Sequence, residues 1–436
     1  MNSINRRRFI KNTSTGLFGF SWMARLFGTG QNRTDIKSKV VVVKDQNILN
    51  NQNKIQADKA QDMMDAGIKS LTGIDDVGKA WKSIFPNISS EKVISIKVNC
   101  LFALSSHPEI AYAIANGLQQ MNVNGASFPA NNIIIWDRSD WDLTSHGGYT
   151  INTGSEGVLV VGTNHSGFGY TSQTYNVKGS TQRISKILTD HSDYLINLCV
   201  LKDHGTADVT FSMKNHYGTC NDPGSLHGSR CNPYIPALNK LSPILDKQVL
   251  SICDALFAIR SGGPSGYPQV TPKQLIFSQD PVAHDTICLD ILNEYRNTPI
   301  NMPAHISTAA SAAYQLGTND RNQIERIDIN SDISSSVQAN SVSPMDFQLF
   351  QNYPNPFNGQ TTLSYRINKS EQIRIEILDI QGRPVRTLFD GTKNAGFHQL
   401  QWDGKNQNYQ PIPSGVYLAK IQGNQSQQTI RMQLLK

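Results

Sequence analysis

Tyr194-Leu195-Ile196-Asn197-Leu198-Cys199-Val200-Leu201, followed at once by Lys202-Asp203-His204, is the stretch that decides the fold class. It is almost wholly apolar, as expected of a strand buried on both faces at a central position of a sheet. Around it, strand and helix patterns alternate. Lys39–Val43, Val93–Val98 and Asn132–Asp137 read as strands. Lys59–Thr72 has helical spacing, with Met63, Met64, Ile68 and Leu71 on one face. Glu109–Met121 is a second helix, and Pro281–Asn293 a third, opened by Asp280 at the N-cap and Pro281 at the first helical position. This order predicts an α/β domain over residues 36–330, with a largely parallel or mixed sheet covered by helices. Residues 140–175, rich in Gly, Ser, Thr and Asn, are expected to form an insertion or extended loop.

The chain has 436 residues, 38% hydrophobic and 17% charged, a length that suggests two or three domains. No window holds the eighteen or so apolar residues a membrane span needs. The net charge of +6 is unevenly spread. Residues 1–30 carry five basic groups and no acid, and residues 347–436 carry ten basic and five acidic groups. That leaves 25 basic against 29 acidic groups in between, out of 40 and 34 in all, so the body of the protein is mildly acidic. A nucleic-acid-binding face is not indicated. The six cysteines all lie in this middle part and form no CxxC pair, so neither a zinc ribbon nor an iron–sulfur cluster is written here. Cys199, Cys253 and Cys288 sit in apolar runs and read as inert buried thiols. Cys220 and Cys231 flank a Gly-rich loop and could form a disulfide in an exported protein.

Polar residues gather just past strand ends, where open α/β sheets place their ligands. Lys97-Val98-Asn99 ends one strand, Asp137-Arg138 another, and Lys202-Asp203-His204 the central one. Ser212-Met213-Lys214-Asn215-His216-Tyr217-Gly218, Leu226-His227, Asp254, Gly262-Gly263-Pro264 and Asp280-Pro281 follow. The blocks VISIKVN, LINLCVLKDHGTADVTFSMKNHYG, SICDALFAIRSGGPSG and SQDPVAHDTICLDIL, with the Leu226-His227 pair between them, resemble domain of unknown function family 362 over roughly residues 40–320. Some members of that family carry a ferredoxin segment, which this chain lacks.

Three chemistries fit these residues. Lys97, Lys202 and Lys214, with amide donors from Asn99 and Asn215, could cradle a carboxylate or phosphate, and a Gly-rich turn at Gly262 and Gly263 would let backbone approach closely. Alternatively, His204 and His227 with Asp254 or Asp280 could hold a divalent metal. Third, a neutral His beside a desolvated Lys could act as acid and base, which makes His204, Lys202 and Lys214 the catalytic candidates. Each has a plainer reading: Asp280 is a helix cap, Asp285 pairs with a lysine, and the lysines are solvated loop charges. His146, His165, His191, His305 and His398 read as surface or packing residues. Three functions remain open: an enzyme acting on a small anionic ligand with its cofactor unknown, a surface protein that binds such a ligand without turnover, and a structural surface component.

The two ends speak of address. A basic cluster precedes a modest apolar stretch, Leu17 to Phe27, which is an export-signal layout. Arg6, Arg7 and Phe9 resemble a twin-arginine consensus, the alternatives being a general secretory signal or a basic amphipathic helix. Residues 331–346 are Ser/Asn-rich and read as a linker. Beyond them, short alternating runs at spacings of roughly ten residues indicate an antiparallel β-sandwich of immunoglobulin or fibronectin type. Tyr353-Pro354-Asn355-Pro356-Phe357-Asn358, Gly382, Trp402, Gly415 and Tyr417 in their blocks resemble the type IX secretion C-terminal sorting domain over residues 347–436, the alternative being a generic accessory module. This resemblance implies the twin-arginine translocase and the type IX machinery as partners, and a secreted or cell-surface location.

Overall fold

The computed structural model describes residues 37–331, 347–349, 352, 355–367, 370–394, 396–423 and 427–435. Arg6, Arg7 and Phe9, the linker beyond Ser331, and Tyr353 and Pro354 lie outside the described residues.

The α/β part is built on one mixed sheet. In chain order its strands are β1 (Ser38–Lys44), β2 (Ile94–Lys97), β3 (Ile133–Asp137), β4 (Leu159–Gly162), β5 (Tyr194–His204), β6 (Asp208–Thr210), β7 (Gln248–Ile259), β8 (Gln274–Ser278) and β9 (Ile324–Asn330). Across the sheet they run β9-β1-β8-β7-β5-β2-β3-β4, with β6 folded back on the end of β5. The five strands β7-β5-β2-β3-β4 are mutually parallel, while β8 is antiparallel to both its neighbours. The C-terminal ends of these five strands therefore lie on one edge. The strand expected over Tyr194–Leu201 lies between β7 and β2 and continues through Lys202-Asp203-His204, because β6 pairs with those three residues. Residues 140–175 differ from expectation: they contain β4, whose apolar Leu159-Val160-Val161 adds a parallel edge strand beside β3. Its glycine- and serine-rich flanks hide so short a run.

Alternation along the strands sorts side chains into two layers. Val40 and Val42, with Leu195, Cys199 and Leu201, face one helical layer; Val41 and Val43, with Ile196 and Leu198, face the other. The second layer holds α1 (Ala57–Thr72), α2 (Val77–Ile84) and α3 (Pro108–Gln119), and the first holds α4 (Pro281–Glu294). Met63, Met64, Ile68 and Leu71 of α1 are all buried, as their spacing predicts. Asp280 caps α4, its carboxylate accepting from Val282 N and Ala283 N, both at 2.9 Å. All six cysteines are buried free thiols, Cys220 and Cys231 among them.

The C-terminal module is two antiparallel sheets. One orders Phe347–Leu349, Thr361–Ile367 and Gly396–Trp402; the other orders Pro384–Lys393, Glu371–Asp379, Gly415–Gln422 and Gln427–Leu434. Trp402 is fully buried between Phe357 and Tyr417, with ring centroids 5.4 and 5.6 Å away. Gly382 has φ 79° in a turn whose Asp379 carboxylate accepts from Gln381 N and Arg383 N. Tyr417 donates to the Pro413 carbonyl at 2.9 Å, and Asn355 accepts from Gln433 N at 2.8 Å. These residues thus build the module's own core and turns.

Helix α1 lies close on β8 at Gly67, where a Cβ would fall 2.3 Å from the buried Phe277 ring. Gly67→Val should destabilise the protein by about 1–3 kcal/mol through overpacking. A denaturant midpoint that does not move would refute this account, and Phe277→Leu in the same chain should restore part of the loss.

Candidate functional site

The site forms where β2, β3 and β5 end. Sequence and sheet register place three lysines there, and each meets a different environment. Lys97 is 1% exposed and pairs with Asp137 at 2.7 Å. Its ammonium also donates to the Val98 carbonyl at 2.6 Å, and Asp137 accepts from Cys100 N and Arg138 N. A buried pair holds only when such extra bonds satisfy it, and here they do. The backbone of Gly218 lies directly over it: a Cβ there would sit 2.7 Å from Lys97 Nζ and 3.0 Å from Asp137 Oδ1.

Lys202 is fully buried. Its ammonium donates to Asn99 Oδ1 at 3.0 Å and to the carbonyls of Leu101 and Leu104 at 3.1 and 3.2 Å. Three acceptors match its three donors. From Asn99 a file of amides continues with one polarity. Asn99 Nδ2 donates to Asn215 Oδ1 at 3.0 Å, Asn215 Nδ2 to Asn197 Oδ1 at 2.7 Å, and Asn197 Nδ2 to the Ser212 carbonyl at 2.8 Å and to Gln248 Oε1 at 3.2 Å. His216 closes the file, Nε2 donating to Gln248 Oε1 at 2.6 Å. Its Nδ1 is then an unprotonated, buried atom without a partner among the described residues.

Lys214 is 6% exposed and sits on the one-turn helix Ser212–Asn215. Asp285 of α4 fixes that turn, accepting from Ser212 N, Ser212 Oγ and Met213 N at 2.9, 2.6 and 3.1 Å. Asp285 therefore caps a helix and bonds His284, rather than pairing with a lysine. Lys214 Nζ lies 3.6 Å from the centre of the Tyr217 ring and 3.2 Å from His227 Nε2. His227 Nδ1 donates to the Pro223 carbonyl at 2.8 Å, so Nε2 presents its lone pair to the lysine. His204 stacks on His227, with ring centroids 5.7 Å apart. Its Nδ1 accepts from Thr206 N and Ala207 N, which leaves the proton on Nε2.

Burial pushes Lys202 and Lys214 down to about 8 each. Burial, reinforced by the Lys214 charge, pushes His204 down to about 3 and lowers His227. His305, 1% exposed and read as a packing residue, is pushed by burial to about 4, and the Lys214 charge bears on it too. Its Nε2 has no partner among the described residues. Near neutral pH these imidazoles are uncharged and the two lysines are mostly cationic.

The residues proposed as metal ligands do not converge. Asp254 is fully engaged elsewhere, its Oδ2 accepting from His107 N at 2.9 Å and meeting His107 Nδ1 at 2.7 Å. Asp280 lies beyond Ser278, which is level with Asn197 through Ser251, so it sits more than about 20 Å along the sheet from His204. Among the described residues no group of three His, Cys, Asp or Glu side chains is placed to hold a metal ion. The glycine turn does approach the site, but Gly263 packs against Asp203, donating its N–H to Oδ1 at 2.7 Å. His204, His227, Lys202, Lys214, Asn99 and Asn215 are brought together, with Lys97 beneath them. His107 lines a neighbouring cavity of about 420 Å³ with Leu104, Phe257 and Val270. Asn197, Gln248 and His107 were not singled out from sequence, while Asp137, His216 and Gly218 were named among the residues past strand ends but given no role. Asn197 carried a signal, being the one amide inside an apolar strand.

The comparisons agree with the resemblance to family 362 and with the immunoglobulin-type β-sandwich read at the C-terminus. None of the curated proteins matches the chain. Among solved structures, latent PorU from Porphyromonas gingivalis is 19% identical over 22% of this chain and 10% of its own, with a TM-score of 0.19. FlgD from P. aeruginosa is 24% identical over 17% of this chain and 57% of its own, with a TM-score of 0.14. A protein from Thermotoga maritima is 7% identical over 59% of each chain, with a TM-score of 0.31. Residues 352–427 match the FlgD Ig-like domain family, and residues 94–290, which hold every one of the clustered site residues, match the family described as Domain of unknown function (DUF362).

Proposed function

We propose that the α/β domain is an enzyme that binds a small anionic ligand at the C-terminal edge of β2, β3 and β5. One observation carries this reading. Lys202 and Lys214 are buried cations, and neither forms an ion pair with a carboxylate among the described residues. Uncompensated buried charge costs several kcal/mol, a cost that an arriving anion offsets. Lys202, saturated by its three acceptors, contributes field from below. Lys214, His204 and His227 face the ligand. The fixed tautomers of the two histidines favour turnover over simple binding, because a proton acceptor and a proton donor stand ready beside the amine. The route to its place of action is read from the ends: residues 1–30 as a twin-arginine-like export signal, 36–330 as the working domain, 331–346 as linker and 347–436 as a type IX sorting module. No helix among the described residues is long and apolar enough to cross a membrane.

Calorimetry with glyoxylate and with inorganic phosphate tests the anion reading. An anion that requires a protonated lysine of pKa about 8 should bind with proton uptake near that pH, and its affinity should fall about tenfold per unit above it. Lys214→Met should weaken binding by at least about tenfold, the scale of one charge-assisted hydrogen bond of 1.5–3 kcal/mol. Binding indifferent to pH and to this substitution would sink the proposal.

Gly218→Ala should push a methyl group into the Lys97–Asp137 pair and cost up to about 3–5 kcal/mol, the scale of breaking a buried pair. Equilibrium unfolding reads the loss, and a cost within about 0.5 kcal/mol of zero, usual for surface changes, would show that the glycine is not needed for the close approach.

Deleting residues 347–436 in a host with the type IX machinery should strand the α/β domain inside the outer membrane. Surface delivery of the truncated chain would exclude the sorting role.

A further inference from the structure

The three buried lysines differ in what their nitrogen can still do. Lys97 is held by a carboxylate and a carbonyl. Lys202 is held by three oxygen acceptors and is fully buried. Lys214 alone of the three touches no oxygen acceptor among the described residues: its partners are the Tyr217 ring face and the His227 Nε2 lone pair. Pro223 in turn fixes the tautomer of His227. A nucleophile, a base within hydrogen-bond reach and a third group orienting the base are the parts an activated amine requires.

We propose that Lys214 is a nucleophile that condenses with the carbonyl group of an anionic oxo acid, forming an imine. This rests on the anion reading above and names its substrate class. His227 Nε2 accepts a proton from the Lys214 ammonium, and the free nitrogen lone pair attacks the carbonyl carbon. The C–N bond forms as the C=O π electrons move to oxygen, which takes the proton held by His227; the nitrogen, now cationic, returns one proton to His227, giving a neutral carbinolamine with a free nitrogen lone pair. Loss of that hydroxyl with one further proton releases water, and the nitrogen lone pair closes the C=N bond. His204, with its proton on Nε2 and its ring stacked on His227, stands beside the pair as a second donor. A protonated imine restores the positive charge that the lysine had, so a carboxylate adjacent to the reacting carbon keeps its counterion. The depressed pKa of Lys214, about 8, supplies free amine at ordinary pH. No oxidant, metal or cofactor is needed for this step.

The test is reductive trapping on the full chain. Glyoxylate with sodium cyanoborohydride should place one carboxymethyl group per chain, mapped by peptide mass spectrometry to Lys214 ahead of the exposed lysines. At saturating glyoxylate, which offsets the weaker binding at high pH, the labelling rate should be half-maximal near pH 8, well below an ordinary lysine. His227→Gln should slow labelling at Lys214 by about a hundredfold while exposed lysines react as before. Propionaldehyde, which carries no charge, should label Lys214 far more slowly. If glyoxylate binds by calorimetry but Lys214 stays unlabelled, the imine inference is overturned and the anion reading survives. If both aldehydes label Lys214 equally, the imine stands and the anion reading falls.

Discussion

The one-directional file of amides from Lys202 through Asn99, Asn215 and Asn197 to Gln248 is the interaction on which the site depends. It ties the end of β2, the turn that carries Lys214, β5 and β7 into one piece. Each oxygen points toward the Lys202 cation and each N–H away from it, so the amide dipoles align with the charge they stabilise. Reversing any one amide would set donor against donor. The file therefore fixes the side-chain orientation of every member, including Asn215 on a turn of only four residues.

That rigidity explains how so many polar groups can be buried at one sheet edge. Unmet polar groups inside a protein cost about 1–3 kcal/mol each, and the file leaves few of them unmet. Orphan atoms do remain, at His216 Nδ1 and His305 Nε2. Both belong to imidazoles that burial pushes to about 4, so each is carried as a neutral ring rather than as a stranded cation. The positive charge stays on the lysines.

Much of the fold was legible in residue patterns. The apolar run Tyr194–Leu201 marked the centre of the sheet, and helical spacing in Lys59–Thr72 marked its buried face. β4 was not, because a run of four apolar residues, Val158 to Val161, between glycines has no period to read. Half of the site was legible for one reason: charged residues directly after a buried strand have few places to go. Its remaining members were hidden by sequence distance. Nothing local shows that Gly218 must lie over a lysine pair, or that Asp254 would turn to His107 of another loop. Asp280 was legible as the helix cap it is, whereas Asp285, expected to pair with a lysine, is consumed by the helix end at Ser212.

The same electrostatics bears on what the site can admit. Lys202 and Lys214 are depressed by burial, and among the described residues neither is ion-paired with an acid that would raise it back, so any group that enters changes their charge balance. A cation would add to the repulsion, and an uncharged molecule would deepen the desolvation. An anion relieves both, and it meets imidazoles whose protons are already placed, since His204 and His227 owe their tautomers to backbone partners and not to the ligand. The cost of ordering those protons is met during folding, which leaves the attraction itself for binding and for the bond-making that follows.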